Sequence, residues 1–408
     1  MRKISFLLLI ILNSISKTYS TLKFKITTEP LRERKNEEEN FYDISKNNLE
    51  LIEINIGSPP QKINVSLSYS TFFFYISGSK VINSSYSENN SISFNQISFR
   101  DTDFYNDIAY KGFYSTENFI FENKKIFQFP FIIATQILGN YNIIGLNIKK
   151  DYGKLSPNLI FDLNNKSITK NNLWSVTFNN VSNYKKGEFI IGKEYNSKNL
   201  KWSKIELKYF EWVITFDDIF FNEFKIMDFR DCQFKLEFGL IGVPEYFMKY
   251  LIKKYVDNIN CIKIGNEYDI FSFACNNSFD IKKFPSMKFY NRDFGRNFTF
   301  EYKDLFYNYE GLNYCLLSGG KEWRNNWVLG KPFLQNYHFV FDPDKKLIAY
   351  NNDDSSFNLD KNIILIIIVF LMFAFIICLL FFIKYMLKKK RKIRVNEIND
   401  IYEYKMKE

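Results

Sequence analysis

The strongest constraint on this chain is a set of short runs with a two-residue hydrophobic period, punctuated by turn residues. Leu51-Ile52-Glu53-Ile54-Asn55-Ile56-Gly57 alternates, Ser58-Pro59-Pro60 turns the chain, and Ile63-Asn64-Val65-Ser66-Leu67 alternates again. That period sends successive side chains to opposite faces of a strand, so one face can be buried while the other meets water. Similar runs recur at Phe119-Ile120-Phe121, Glu188-Phe189-Ile190-Ile191-Gly192 and Trp212-Val213-Ile214-Thr215-Phe216. Only Glu245 to Tyr255 has helical spacing, opening after Pro244 with Phe247, Leu251 and Ile252 on one face. The chain therefore reads as all-β, without heptads or short-period repeats.

Two apolar runs bound this region. Residues 1–20 have the order of a secretory signal peptide: Arg2 and Lys3, then apolar Ile4 to Leu12, then Thr18-Tyr19-Ser20 as a small-residue cleavage context. Ile363 to Ile383 holds 21 residues without a charge. At about 1.5 Å per residue such a run matches the roughly 30 Å hydrocarbon core of a bilayer. Lys384 and the run Lys388 to Lys392 follow it, which by the positive-inside rule puts the C-terminus in the cytoplasm. The expectation is a single-pass type I membrane protein whose ectodomain faces the lumen of the secretory or endolysosomal pathway or the exterior. Between the runs stand a charged leader or propeptide (21–46), two lobes (47–198 and 199–351) and a polar stalk (352–362), with a basic tail at 384–408. The ectodomain is too long for one simple core and suits two lobes.

Charge must be read with that topology. The formal net charge is +10, of which the signal carries +3 and the tail from Lys384 +5, leaving about +2 for the ectodomain. The basic character belongs to targeting and anchoring, so no nucleic-acid partner is expected. Asn, Lys, Ile, Phe and Tyr are abundant throughout, and most of the 45 Phe are expected in cores and strands.

Of five cysteines, Cys378 lies in the membrane span, while Cys232, Cys261, Cys275 and Cys315 lie in the ectodomain. In an oxidising compartment four cysteines suggest two disulfides, with three pairings open. No CxxC-like cluster is present, so neither a metal nor any other cofactor is expected. Sequons stand at Asn64, Asn83, Asn89, Asn165, Asn180, Asn276 and Asn297, with Asn64 inside a strand pattern.

The residues from about Asn48 to Tyr350 resemble the pepsin-like aspartic peptidases. Ile54-Asn55-Ile56-Gly57-Ser58-Pro59-Pro60-Gln61 is similar to that family's approach to its first Asp loop, and Ile143-Ile144-Gly145-Leu146 to the strand bracing it. Gly112-Phe113-Tyr114-Ser115-Thr116 resembles the strand after the flap, which puts Tyr105 at the flap tyrosine, in the substrate cleft. In the second lobe, Trp212 to Phe216 with Asp218-Ile219, Leu240-Ile241-Gly242-Val243-Pro244, and Trp327-Val328-Leu329-Gly330-Lys331-Pro332-Phe333-Leu334 followed by Tyr337 to Asp342 repeat the logic. The resemblance implies a bilobal pepsin-like fold, a groove for an extended peptide or protein ligand, and a Cys275–Cys315 disulfide, leaving Cys232 and Cys261 to each other.

The resemblance also implies two catalytic aspartates, and neither is present. Ser68-Tyr69-Ser70-Thr71-Phe72 stands where D-T-G-S-S is expected, and Lys235-Leu236-Glu237-Phe238-Gly239 where D-S-G-T-S is expected. Ser68 and Lys235 thus hold the two degenerate catalytic positions. The family's carboxylates share a proton and activate a water, which Ser and Lys cannot do. The leading expectation is an inactive, membrane-anchored family member with a peptide-binding or regulatory cleft. The alternatives are an active aspartic endopeptidase whose aspartates are misassigned here (though Asp101, Asp103 and Asp107 lie near the flap segment, not before a bracing pair), a Ser68/Lys235 hydrolytic dyad, and a structural or adhesive glycoprotein. His338, the only histidine, is expected to be structural.

Overall fold

A computed structural model of the chain describes residues 21–28, 41 and 50–351, with gaps at 82–83, 99–101, 105–109, 122–123, 137–141, 149–156, 179–185, 197, 207–210, 227–229, 260, 267–268 and 322–325, and Phe375, Lys384 and Met386 beyond. The signal peptide, the stalk and nearly all of the span at 363–383 lie outside the described residues, as does Cys378. No described helix is long and apolar enough to cross a membrane.

The alternating runs become strands as their period requires. Glu50–Ile56 and Gln61–Ser68 form an antiparallel hairpin in which Ile52 faces Val65 and Ile54 faces Ile63. Gln61–Ser68 then runs parallel to Asn142–Gly145, which is antiparallel to Phe74–Ser77. The second half repeats this arrangement. Asp231–Phe234 runs parallel to Trp327–Leu329, which is antiparallel to Ile241–Gly242. In each half a strand ending in glycine is wedged between the two arms of a loop. A Cβ on Gly145 would stand 2.4 Å from the carbonyl carbon of Phe72, and one on Gly330 would stand 2.3 Å from the carbonyl oxygen of Phe238. Only glycine lets the loop backbone pass that close.

A 14-stranded sheet carries the first half and also takes in Leu200–Lys204, Phe339–Asp342 and Leu347–Asn351 from the second. Sheets of nine and four strands belong to the second half. The predicted helix is present as Glu245–Ile259, longer than expected by one turn, with Phe247, Met248, Leu251 and Tyr255 buried. Much of the phenylalanine goes into the core: Phe216, Phe289, Phe298, Phe333 and Phe339 form a run of ring contacts between 5.5 and 5.9 Å. The leader differs from the irregular segment expected. Leu22–Thr28 is a strand lying between Glu50–Ile56 and Lys186–Ile191, with Leu22, Phe24 and Ile26 buried.

The disulfide expectation is corrected. Cys261 is bonded to Cys275, while Cys232 and Cys315 are buried thiols. Strand register is the reason. Ile262 pairs with Ala274, so the next position brings Cys261 opposite Cys275, with their Cα atoms 4.3 Å apart. On the other edge Ala274 pairs with Tyr314 and Cys275 with Asn313, which leaves Cys315 two pairs out of step. Cys232 sits in a different part of the sheet, opposite Trp327 and Ile214. Among the described sequons, Asn64, Asn89, Asn165, Asn276 and Asn297 are exposed, whereas Asn83 and Asn180 lie outside the described residues.

A buried ion pair ties the halves together. The Lys331 ammonium, at the first residue after the Gly330 wedge, contacts the Glu50 carboxylate, and the two side chains are 4% and 0% exposed. Burial pulls the Lys331 pKa down, opposed by the charge and hydrogen bond of Glu50. Desolvating two charges largely cancels their attraction, but a single charge left behind has nothing to offset its desolvation. Lys331→Met alone should therefore destabilise the protein by about 3–5 kcal/mol, whereas Glu50→Leu with Lys331→Met should come close to the parent. Urea unfolding of the three proteins checks this. In peptide maps of unreduced protein, Cys261 and Cys275 should appear as one linked pair. Cys232 and Cys315, whose thiol pKa values are pushed up by burial, should resist alkylation until the protein is unfolded.

Candidate functional site

The two degenerate loops face each other where the halves meet. The first is carried on the end of Gln61–Ser68 and braced from behind: Leu146 N donates to Ser68 O at 2.8 Å, and Asn147 N to Thr71 O at 2.9 Å. The second follows Asp231–Phe234 and is braced in the same way, with Lys235 N donating to Leu329 O at 3.1 Å and Lys331 N to Phe238 O at 2.7 Å. Trp212, from the second half, ties the braces together by donating its indole N–H to Leu146 O at 2.6 Å.

By the resemblance, Glu237 stands where the glycine of D-S-G-T-S is expected. Its carboxylate is instead the centre of the site. It reaches across to the first loop, where Tyr69 N donates to Oε2 at 3.0 Å and Ser70 N to Oε1 at 2.9 Å. The Ser70 hydroxyl also donates to Oε1, and the Ser68 hydroxyl lies at the outer limit, 3.4 Å away. Ser68 Oγ in turn accepts from Ser70 N at 3.2 Å. Two backbone amides and two hydroxyls from one half thus converge on a single carboxylate from the other. The signal was present in the sequence: a long acidic side chain in a tight loop, opposite a Ser-Tyr-Ser turn rich in donors.

Of the two degenerate catalytic positions, Ser68 belongs to this cluster and Lys235 does not. Among the described residues Lys235 makes no ion pair with Glu237. Nor does Ser68 contact Lys235, which leaves a Ser–Lys dyad without its hydrogen bond. The residues beside them point away from the site. Tyr69 is buried, its ring edge-on to Trp174 and Phe341 at 5.2 and 5.5 Å, and Leu236 is fully buried. Burial raises the Tyr69 pKa, with the Glu237 charge adding to the effect, so the phenol stays neutral.

The other candidates fall elsewhere. Asp103 lies on the strand Thr102–Phe104, in register with Lys111, while Asp101, Asp107 and the flap candidate Tyr105 lie outside the described residues. His338 is held structurally: its Nδ1 lies 3.1 Å from Asn351 Nδ2, and its carbonyl accepts from Asn351 N at 3.0 Å. No group of metal-ligating side chains occurs among the described residues.

Chemically, the site holds one carboxylate with both oxygens committed to donors. Among the described residues no second carboxylate joins this hydrogen-bonded cluster, so it contains no proton-sharing pair. The arrangement joins two halves. A family model described as eukaryotic aspartyl protease matches residues 51–352. No curated protein matches the chain.

Hydrogen bonds to an ionised group contribute about 1.5–3 kcal/mol each when desolvated, and less at a half-exposed site such as this. Glu237→Ala should therefore cost about 2–4 kcal/mol in denaturant unfolding, since it strands two amides at once. Lys235→Ala should stay within about 0.5 kcal/mol, because it removes no contact the fold depends on. Equal effects of the two substitutions would contradict this assignment.

Proposed function

Since the chain belongs to the eukaryotic aspartyl protease family, we propose that it is a catalytically silent member whose inter-lobe groove binds extended peptide or protein segments, held at a membrane by residues 363–383. The observation that carries the silent half of this reading is the Glu237 carboxylate, saturated by Tyr69 N, Ser70 N and the Ser70 hydroxyl. Aspartic peptidase chemistry needs two carboxyl groups close enough that only one ionises, with a water between them. Here the two positions carry Ser68 and Lys235, and the remaining carboxylate acts as a hydrogen-bond acceptor. The binding half is supported by what the scaffold retains. Both glycine wedges and the loops they brace persist, and those loops meet at the boundary of the halves, where an extended segment would lie.

The topological part of the proposal rests on the sequence pattern. A signal-like start, an uncharged 21-residue run and a following basic cluster put the matched domain on the lumenal or external side, with the tail in the cytoplasm. The exposed sequons at Asn64, Asn89, Asn165, Asn276 and Asn297 suit that compartment.

Incubated with a proteome-derived peptide library from acid to neutral pH, the purified protein should give no pepstatin-sensitive cleavage. Ser68→Asp with Lys235→Asp should remain silent too, because Glu237 would still occupy the first loop and put a third carboxylate against the restored pair. Cleavage by the parent that disappears when one Asp is replaced would overturn the proposal and identify the base. Robust cleavage by the double variant alone would show that Glu237 does not block the site.

A further inference from the structure

The turn that meets Glu237 is held in shape by contacts of its own. Its carbonyls are engaged from behind: Ser68 O accepts from Leu146 N at 2.8 Å, Thr71 O from Asn147 N at 2.9 Å, and Ser70 O from Asn147 Nδ2 at 3.4 Å. With those carbonyls fixed, the successive Tyr69 and Ser70 amides converge on one acceptor, a backbone arrangement that favours an anion. The Ser68 and Ser70 hydroxyls add two donors, and the group they all meet is a carboxylate. The turn recognises that carboxylate, and nothing in the contact requires it to belong to Glu237. Lys235 supplies a second observation. It stands two residues before Glu237, and both side chains are partly exposed, whereas Leu236 between them is fully buried. Among the described residues the Lys235 ammonium has no carboxylate partner, while the Glu237 carboxylate is turned to the first half.

We propose that the Tyr69–Ser70 turn is a carboxylate-binding site which Glu237 fills in the free protein, and that segments bound in the groove are those whose own carboxylate takes its place. The proposal rests on the peptide-binding reading above and specifies the ligand class, a segment with an acidic side chain or a C-terminal carboxylate. Exchange of one carboxylate for another keeps the charge-assisted hydrogen bonds to both amides. The displaced Glu237 pairs with Lys235, so the exchange leaves no charge without a partner. Glu237 is tethered beside the turn and competes at high effective concentration. A small free carboxylate therefore does not displace it, whereas a segment with further contacts along the boundary of the halves can.

The site is tested first without a peptide, in full-length, detergent-solubilised Glu237→Ala protein. Acetate matches the methylene and carboxylate that this substitution removes. Sodium acetate should raise the Tm of the variant saturably and recover at least half of the loss, relative to sodium chloride at equal ionic strength, and should do nothing for the parent. No recovery would overturn the proposal. The ligand class is tested on the parent, which keeps the proposal falsifiable should Glu237→Ala not fold. A random decapeptide library should be retained at least tenfold better than its methyl-esterified copy, and a copy amidated only at the C-terminus tells an acidic side chain from a C-terminal carboxylate. Equal retention of the free and esterified libraries would overturn the proposal. Lys235→Ala should keep the parent's Tm and retain the free library at least threefold less; unchanged retention would overturn the exchange with Lys235. Recovery by acetate with no retention of any library would uphold the carboxylate site and remove only the peptide-binding reading.

Discussion

The molecule's two halves depend on one another through charge placed across their boundary. Glu237 extends from the second half into a turn of the first and is met by two backbone amides and two hydroxyls. Glu50 extends the other way, from the strand Glu50–Ile56 of the first half to Lys331 beside the second glycine wedge. The two contacts have different physics. The Glu237 contact is partly hydrated and made of charge-assisted hydrogen bonds, so it can be a net gain. The Glu50 contact is fully buried, so its attraction largely offsets the cost of desolvating both ions, and its chief effect is to penalise any arrangement that separates them.

The clasp at Glu237 follows from geometry. A glycine two places after an aspartate leaves room for a water between two loop tips. A glutamate there fills the room with a side chain just long enough to reach the opposite amides. Once those amides are satisfied by a carboxylate, the small hydroxyl residues beside the loop tips are no longer needed to link the loops. In this chain those positions are Tyr69 and Leu236, both turned inward and buried. Tyr69 packs edge-on against Trp174 and Phe341, and those two rings stack at 4.1 Å, so the loop is anchored from beneath by aromatic contact.

Features set by local period or by one tight contact were legible in the sequence. The alternation at Leu51 to Leu67 specified a hairpin, the spacing after Pro244 specified the helix, and Gly145 was recognisable as the wedge it is. What depends on the pairing of distant strands was not. Which cysteines meet is decided by the register of Ile262–Gly265 against Ile270–Asn276, and a shift of one residue would have put Cys261 opposite Ala274 or Asn276. The leader's charged middle concealed an apolar alternation at Leu22, Phe24 and Ile26, whose partners lie as far along the chain as Lys186–Ile191. Glu237 could be seen as an intrusion on its own loop, but its direction depends on a turn 167 to 169 residues away.

The separation of scaffold from chemistry is clearest at the glycines. Gly145 and Gly330 are required because backbone passes within about 2.0–2.5 Å of where a Cβ would stand, a demand made by the fold whether or not any bond is cleaved. The position taken by Glu237 carries no such demand, since its side chain points out of the loop and across the boundary. A wedge therefore resists every substitution, while the position of Glu237 accepts a side chain that reaches the facing amides and stabilises the junction of the two halves.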